Sequence, residues 1–147
     1  MVDHISADKR SALMARIRGR DTRPEKLVRS MVHKMGFRFG IGTASVPGRP
    51  DLVLRRHRKA IFVHGCFWHQ HTGCPRSARP RSRTRFWNTK LDRNLRRDGE
   101  VMNQLAKDGW LSLIVWECET KDRPALEAKL RRFLGKRSPR SRAANGR

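Results

Sequence analysis

Residues Asp51–Cys74 constrain the fold more than any other stretch of the chain. They read D-L-V-L-R-R-H-R-K-A-I-F-V-H-G-C-F-W-H-Q-H-T-G-C. Two short apolar runs, Asp51–Leu54 and Ala60–Val63, flank a charged linker, Arg55–Lys59. Strand, polar turn, strand is the pattern of a β-hairpin. The eleven residues His64–Cys74 then hold three histidines, two cysteines, Phe67 and Trp68. Core packing does not call for that mixture. His and Cys together are zinc ligands, an Asp at a strand end suits Mg²⁺, and neighbouring Phe and Trp can stack on bases. The stretch reads as an active site laid beside a structural metal.

The charge says what such a site acts on. The 147 residues carry 35 Lys plus Arg against 13 Asp plus Glu, a net of +22. A field of that sign draws in polyanions. Nucleic acid is the leading partner and an anionic membrane surface the second. The membrane reading is the weaker one, because no apolar run is long enough to span. Met1–Arg10 lacks the apolar core of a signal peptide, which places the protein in the cytoplasm, where three cysteines suit metal or burial better than disulfides. The length suits one domain over residues 1–135, with a Ser-, Pro- and Gly-containing basic tail, residues 136–147, too polar to fold.

The remaining elements follow in order. Ser6 can cap a helix over Ala7–Arg18 with a thin apolar stripe of Leu13, Met14 and Ile17. As sequence this is more readily a surface helix than a DNA-contacting arm whose Met14 or Ile17 wedges between bases. Thr22-Arg23-Pro24-Glu25 opens a stronger helix. Thr22 is the N-cap, Pro24 lies in the first turn, and Glu25 completes a capping box. Leu27, Val28, Met31, Val32 and Met35 form its buried face, and Gly36 ends it. Taken alone, Glu25 is a cap rather than a catalyst. A first strand is expected at Phe37–Ile41, and Pro50 delivers Asp51 extended to the hairpin. Pro75–Arg85 carries five arginines and no acid, and reads as a mobile phosphate-contacting loop. Thr84 caps the next helix, which ends near Asp108-Gly109 and is weakened at Gly99. Asn94 and Asp98 share one of its faces. Leu111–Trp116 is the most apolar strand and is expected at the centre of the sheet. Asp122-Arg123-Pro124 begins a last helix with Leu126, Leu130, Phe133 and Leu134 apolar. The class is α/β, a small mixed sheet between helices.

Cys66-x₄-His71-x₂-Cys74 offers three metal ligands on one loop, and Cys118, at a strand end, is the only other cysteine. Cys₃His closes a tetrahedral zinc site with no open position, hence a structural one. The opposing reading makes Cys118 a core residue, and spacing alone lets His69 stand in for His71. Chemistry needs a second centre. Asp51 and His64 can meet at one sheet edge, where Asp51 would hold Mg²⁺ and His64 or His69 would act as base or acid.

The order of these motifs resembles the very short patch repair (Vsr) family of DNA mismatch endonucleases. The resemblance runs from about Arg16 to about Phe133. It rests on Arg20-Asp21-Thr22 with Glu25, Val46–Asp51, His64-Gly65-Cys66-Phe67-Trp68-His69, Thr84-Arg85 with Phe86-Trp87, Lys90 with Asn94 and Arg97-Asp98, and Gly109-Trp110 leading to Val115-Trp116-Glu117-Cys118. The His-Gly-Cys-Phe-Trp-His run is its most specific part. The resemblance implies a restriction-endonuclease-like core with an added zinc site. It implies a nick beside the thymine of a T:G mismatch left by deaminated 5-methylcytosine. By matching position, Asp51 and the Val63 carbonyl would hold Mg²⁺ and His69 would be the general base. His64, Glu25 and Asn94 would hold waters around the metal, and Asp98 would support the His69 imidazole. Cys66, His71, Cys74 and Cys118 would bind Zn²⁺. Phe67, Trp68 and Trp87 would enter the mismatch from the major groove, and the N-terminal helix with Met14 and Ile17 would press from the minor groove.

Two departures stand out. Two residues separate His71 from Cys74, where the family pattern often has one, and Val63 stands where some relatives carry Thr. The D/E-x-K of restriction-type cores is replaced by Phe62-Val63-His64, so the mechanism must rest on histidine. A T:G wobble is stacked more weakly than a Watson–Crick pair, so aromatic insertion there costs less. The alternatives are a same-fold nuclease for another lesion or sequence, and a zinc-stabilised DNA-binding module without chemistry. A monomer suits an asymmetric mismatch, and repair-pathway proteins are conceivable partners.

Overall fold

The computed structural model of the chain describes residues 22–41 and 45–136. The expected helix at Ala7–Arg18, with Met14 and Ile17, and nearly all of the basic tail lie outside these residues. The first described helix, α1 (Arg23–Lys34), starts where Thr22 Oγ1 accepts the Glu25 N–H at 3.4 Å. It ends in a Schellman motif: Gly36 N–H donates to His33 and Phe37 N–H to Val32, with Gly36 at φ 90°. The helix buries Val28 and Val32 completely.

Strand β1 (Leu52–Leu54) and strand β2 (Lys59–His64) form the expected antiparallel hairpin, with Leu52 opposite Ile61 and Leu54 opposite Lys59. One 3₁₀ turn, Arg55–His57, and left-handed Arg58 at φ 50° connect them. Helix α2 (Thr84–Lys107) carries the chain back to strand β3 (Leu111–Trp116), which lies parallel to β2. Helix α3 (Arg123–Leu134) follows, with Asp122 Oδ1 accepting the Ala125 N–H at 3.2 Å as its cap.

Alternation along the strands sorts the core onto two faces. Leu52, Leu54, Ile61 and Val115 meet Val28 and Val32 of α1 and Leu126, Leu130 and Leu134 of α3. Val53, Ala60 and Phe62 turn the other way, onto Val46 and Leu105 of α2. The sheet is therefore covered on both faces. Each fully buried Leu or Ile contributes about 1.5–3 kcal/mol by removal from water. The backbone of residue 48 also follows from this packing. A Cβ there would lie 2.4 Å from Val101 Cγ1, and Gly48 sits at φ +77°.

Five expectations differ from the structure. The sheet has three strands in the order β1-β2-β3, so Lys59–His64 is central and Leu111–Trp116 is an edge. Parallel joining through α2 leaves only the free side of β2 for β3, and Leu111 is 61% exposed. Lys129 of α3 protects that edge, donating to the Ile114 carbonyl at 2.8 Å. The strand expected at Phe37–Ile41 shrinks to one bridge, Gly40 with Val53, because Gly40 adds nothing to pack and Ile41 is exposed. The cap of α2 is left-handed Arg83 at φ 51°, not Thr84, whose hydroxyl donates to the Arg81 carbonyl at 3.1 Å. Gly99 lies within an unbroken helix. The loop before α2 is anchored rather than loose, through Arg79.

Candidate active site and metal centre

The hairpin register brings Asp51 to β2, where its Oδ2 accepts the Val63 N–H at 2.6 Å. Burial raises the Asp51 pKa from 3.8 to about 6. The Val63 hydrogen bond opposes the shift, the Glu25 charge on α1 adds to it, and Arg29 and His69 oppose it. Arg29 also bonds Glu25 Oε2 at 3.1 Å. Two carboxylates thus converge on one partly dry place, which is an environment for a cation.

His64 ends β2 on the face turned toward α2. Its ring stacks on that of His69 with centroids 3.7 Å apart and planes 9° apart. The turn at residues 66–70 brings His69 back over His64, with the His69 N–H on the Gly65 carbonyl. Asp98 on α2 receives His69 Nδ1 at 2.7 Å. One helical turn earlier, Asn94 Nδ2 donates to the Trp68 carbonyl at 3.1 Å. Burial, and then the neighbouring His69, lower the His64 pKa to about 4, against the pull of Asp98. His64 is therefore neutral at pH 7. Its Nδ1 is buried with no hydrogen-bond partner among the described residues. A buried group of that kind calls for an explanation, such as a bound water or ion. Ligand atoms of His64, His69 and Asp98 all lie within 4.8 Å of one another.

These groups line one open cleft of about 1540 Å³ that includes Glu25, Asp51, His64, His69, Asn94 and Asp98. Phe67, Trp68 and Trp87 form part of its wall. Trp68 and Trp87 are buried with Leu91 in a small cluster, and Phe67 packs edge-on against both at 5.2 and 5.5 Å. Of the neighbouring pair on α2, Trp87 turns inward at 6% exposure and Phe86 outward at 45%.

The second centre follows from the parallel register. His64 pairs with Trp116, so Cys66 and Cys118 each leave the sheet two residues beyond the same pair. Cys118 sits in the 3₁₀ turn Glu117–Lys121. Cys66, His71, Cys74 and Cys118 bring their ligand atoms within 4.8 Å of one another. His71 Nδ1 is 3.5 Å from Cys118 Sγ, and its ring stacks on Trp116 at 4.1 Å. His71 therefore joins the cysteines, while His69 joins Asp98. Burial pushes the Cys66 thiol up to about 12, whereas the Arg76 main chain lowers Cys74. Three sulfurs and one imidazole form a donor set that could hold a metal ion, and soft ligands of this kind suit zinc.

Every candidate residue from Glu25 to Cys118 lies at one of these two centres or on the cleft wall. Sequence reasoning missed Gln70 and Arg79. Gln70 Nε2 donates to the Phe67 and Ser77 carbonyls, and Arg79 bonds Gln70, Asn88 and Asp92. Within a run of arginines nothing in the sequence distinguishes Arg79 from its neighbours. No helix among the described residues is long and apolar enough to cross a membrane.

Comparison with known proteins gives the family. The family model for DNA mismatch endonuclease Vsr matches residues 2–75. Type II nicking enzyme V.XorIIP of Xanthomonas oryzae pv. oryzae is 45% identical over 134 residues, covering 91% of this chain and 98% of that protein. Type II nicking enzyme V.NmeAIP of Neisseria meningitidis is 37% identical, covering 91% and 95%. DNA mismatch endonuclease Vsr of Escherichia coli K12 is 42% identical over 126 residues, covering 86% and 80%. On these matches the chain belongs to the DNA mismatch endonuclease Vsr family.

Proposed function

We propose that the protein is a Mg²⁺-dependent DNA endonuclease that nicks one strand beside the thymine of a T:G mismatch and so starts very short patch repair. The observation that carries this reading is the His69–Asp98 pair at 2.7 Å, in one cleft with half-buried Asp51. The relatives' names, mismatch endonuclease and nicking enzyme, point the same way.

Asp51 fits a hard cation. Its carboxylate is desolvated, and Glu25 stands near enough to raise its pKa. An extended residue directs its N–H and C=O to the same side of the strand. Val63 gives its N–H to Asp51, so its carbonyl faces the side where Asp51 stands. Asp51 and the Val63 carbonyl would hold Mg²⁺, with His64, Glu25 and Asn94 bonding waters around it. Magnesium would supply charge neutralisation of the phosphate and of the departing oxygen.

The chain's own residues supply the rest. Asp98 takes the Nδ1 side of His69, which fixes the tautomer and leaves Nε2 to remove a proton from water. That water's oxygen forms the new bond to phosphorus as the strand's P–O bond breaks. His64 stays neutral beneath the His69 ring, so no second positive charge opposes protonation of the base. Cys66, His71, Cys74 and Cys118 would bind structural Zn²⁺ and tie the His69 turn to the end of β3. Phe67, Trp68 and Trp87 would pry open the stack at the wobble pair, and Met14 and Ile17 of the N-terminal arm would press from the other groove. We read residues 1–135 as one monomeric domain with a restriction-endonuclease-like core, acting in the cytoplasm.

End-labelled duplexes test the reading. With Mg²⁺, duplexes carrying T:G in varied contexts should receive one nick on the thymine strand, and matched C:G duplexes none. Equal cutting of both sets would favour a nuclease of other specificity. Binding without cutting would make the chain a DNA-binding module. His69→Ala should slow cleavage by about 10²–10⁴-fold and leave binding intact.

A further inference from the structure

Four arginines, at 76, 79, 81 and 83, stand in the loop before α2, and Arg79 is the one held by partners on three residues. All three of its guanidinium nitrogens donate: Nε to Gln70 Oε1 at 2.9 Å, Nη1 to Asn88 Oδ1 at 2.9 Å, Nη2 to Asp92 Oδ1 at 2.7 Å. Asn88 and Asp92 are one turn apart on α2 and so present one face. Gln70 passes the contact on. Its Nε2 donates to the Phe67 carbonyl at 2.7 Å and to the Ser77 carbonyl at 3.0 Å. The Gln70 main chain is left-handed, at φ 51°. That conformation is strained for a residue with a side chain and persists only where its surroundings enforce it. Here the amide and the arginine fork enforce it. A continuous path therefore runs from α2 through Arg79 and Gln70 to the Phe67 main chain, whose ring edges onto Trp68 and Trp87.

We propose that Arg79 is a positioning residue. Through Gln70 it fastens the Phe67 turn to α2, so that the aromatic wall meets the duplex already ordered. This rests on the reading of that wall as the part that enters the mismatch. Ordering side chains during binding costs affinity, which a wall fixed beforehand avoids. The role differs from that of the exposed arginines around it. Each guanidinium nitrogen of Arg79 already donates within the protein, and only a planar fork serves three acceptors in fixed directions. A lysine keeps the charge but not the fork.

The test uses Arg79→Lys, Arg79→Ala and Gln70→Ala in the zinc-loaded full chain, with two readouts. In free protein, amide hydrogen exchange across residues 67–70 should quicken roughly tenfold in all three variants, as expected for a lost hydrogen bond. Unchanged exchange overturns the proposal whatever happens on DNA. In the complex, a 2-aminopurine beside the T:G pair should brighten on binding wild type and brighten less with each variant. Arg79→Lys should keep wild-type affinity for a fully paired duplex, where charge alone counts. If Arg79→Lys restores both exchange and brightening, charge rather than the fork is at work and the proposal is overturned. If wild type itself gives no brightening, the insertion reading fails, and the exchange result still decides the clamp.

Discussion

Replacing Asp51 with Asn should stabilise the metal-free site while abolishing cleavage, and the size of the gain can be worked out. The carboxyl has a pKa of about 6 in the folded chain against 3.8 unperturbed, chiefly because it is buried. Each pKa unit is 1.36 kcal/mol, so holding the charge in the fold costs about 3 kcal/mol above pH 7. Asn keeps the oxygen that accepts the Val63 N–H, but its own amide must be desolvated, which returns about 1 kcal/mol. The net gain is about 2 kcal/mol, a Tm rise of roughly 4–8 °C for a chain of this size. The sign follows from linkage. A folded pKa raised above the unfolded one gives stability that is present below pH 3.8 and lost as pH rises through about 6. His64 runs the opposite way. Its contribution is present above pH 6.5 and is lost as pH falls toward about 4. The two overlap in wild type, so the variant must be read as a difference.

The assay is thermal unfolding of both proteins from pH 8 to pH 4.5, without added Mg²⁺ and without chelator, so that any metal held by the cysteine cluster stays in place. The advantage of Asp51→Asn should shrink from about 2 kcal/mol at pH 8 to about zero at pH 4.5. Saturating Mg²⁺ at pH 8 should raise only the wild type, by about 2.7 kcal/mol at a hundred times Kd, and erase the gap. A gap that stays flat with pH, or a variant less stable than wild type at pH 8, would refute the reasoning that Asp51 is held charged against burial until a cation arrives.

The other predictions concern the base, the cluster and the charge. Asp98→Asn should lower kcat by roughly two orders of magnitude with KM little changed, because His69 loses the acceptor that sets its tautomer; wild-type kcat would remove Asp98 from the mechanism. Cys118→Ala should release zinc and cost about 2 kcal/mol, a Tm fall of roughly 4–8 °C. Full metal content with unchanged Tm would exclude Cys118 as a ligand. Arg81 and Arg85 are exposed, so changing both to Ser should flatten the slope of log K against log[salt] by about 2, whether or not the duplex carries a mismatch.

What was legible in the sequence was what is local. The hairpin could be read from two apolar runs, α1 from Thr22, Pro24 and Gly36, and the cysteine cluster from a ligand count that closes. Asn94 and Asp98 could be placed on one face by spacing. The partner of Asp98 came only from resemblance, because nothing in residues 84–107 says which loop their helix meets. The centre of the sheet was misplaced for a related reason. Apolarity ranks strands by burial on their faces, and β3 is covered on both faces while its edge is free. The strand expected at Phe37–Ile41 shrank to one bridge because Gly40, which makes it, brings no side chain to pack and Ile41 is exposed. Arg79 was hidden by composition: a run of arginines reads as a charged surface, and one inward fork leaves no mark on the pattern.

The arrangement also explains why two centres sit side by side. Residues 64–74 hold nearly all the unusual chemistry, yet neither centre is complete within them. His69 finds its partner in Asp98, and the cysteine cluster closes with Cys118. Both partners arrive through the same crossover, α2 and then β3, and the parallel pairing of His64 with Trp116 fixes where it ends. One loop is thus held at three points: to the end of β3 by the cluster, to the middle of α2 by His69 on Asp98, and to the start of α2 by Gln70 on Arg79. Depleting the cluster of any metal it holds should therefore harm cleavage as well as stability, because the turn that carries His69 is the segment between Cys66 and His71. Metal-depleted protein that remained folded and cut at the wild-type rate would show that α2 alone is enough to aim the base.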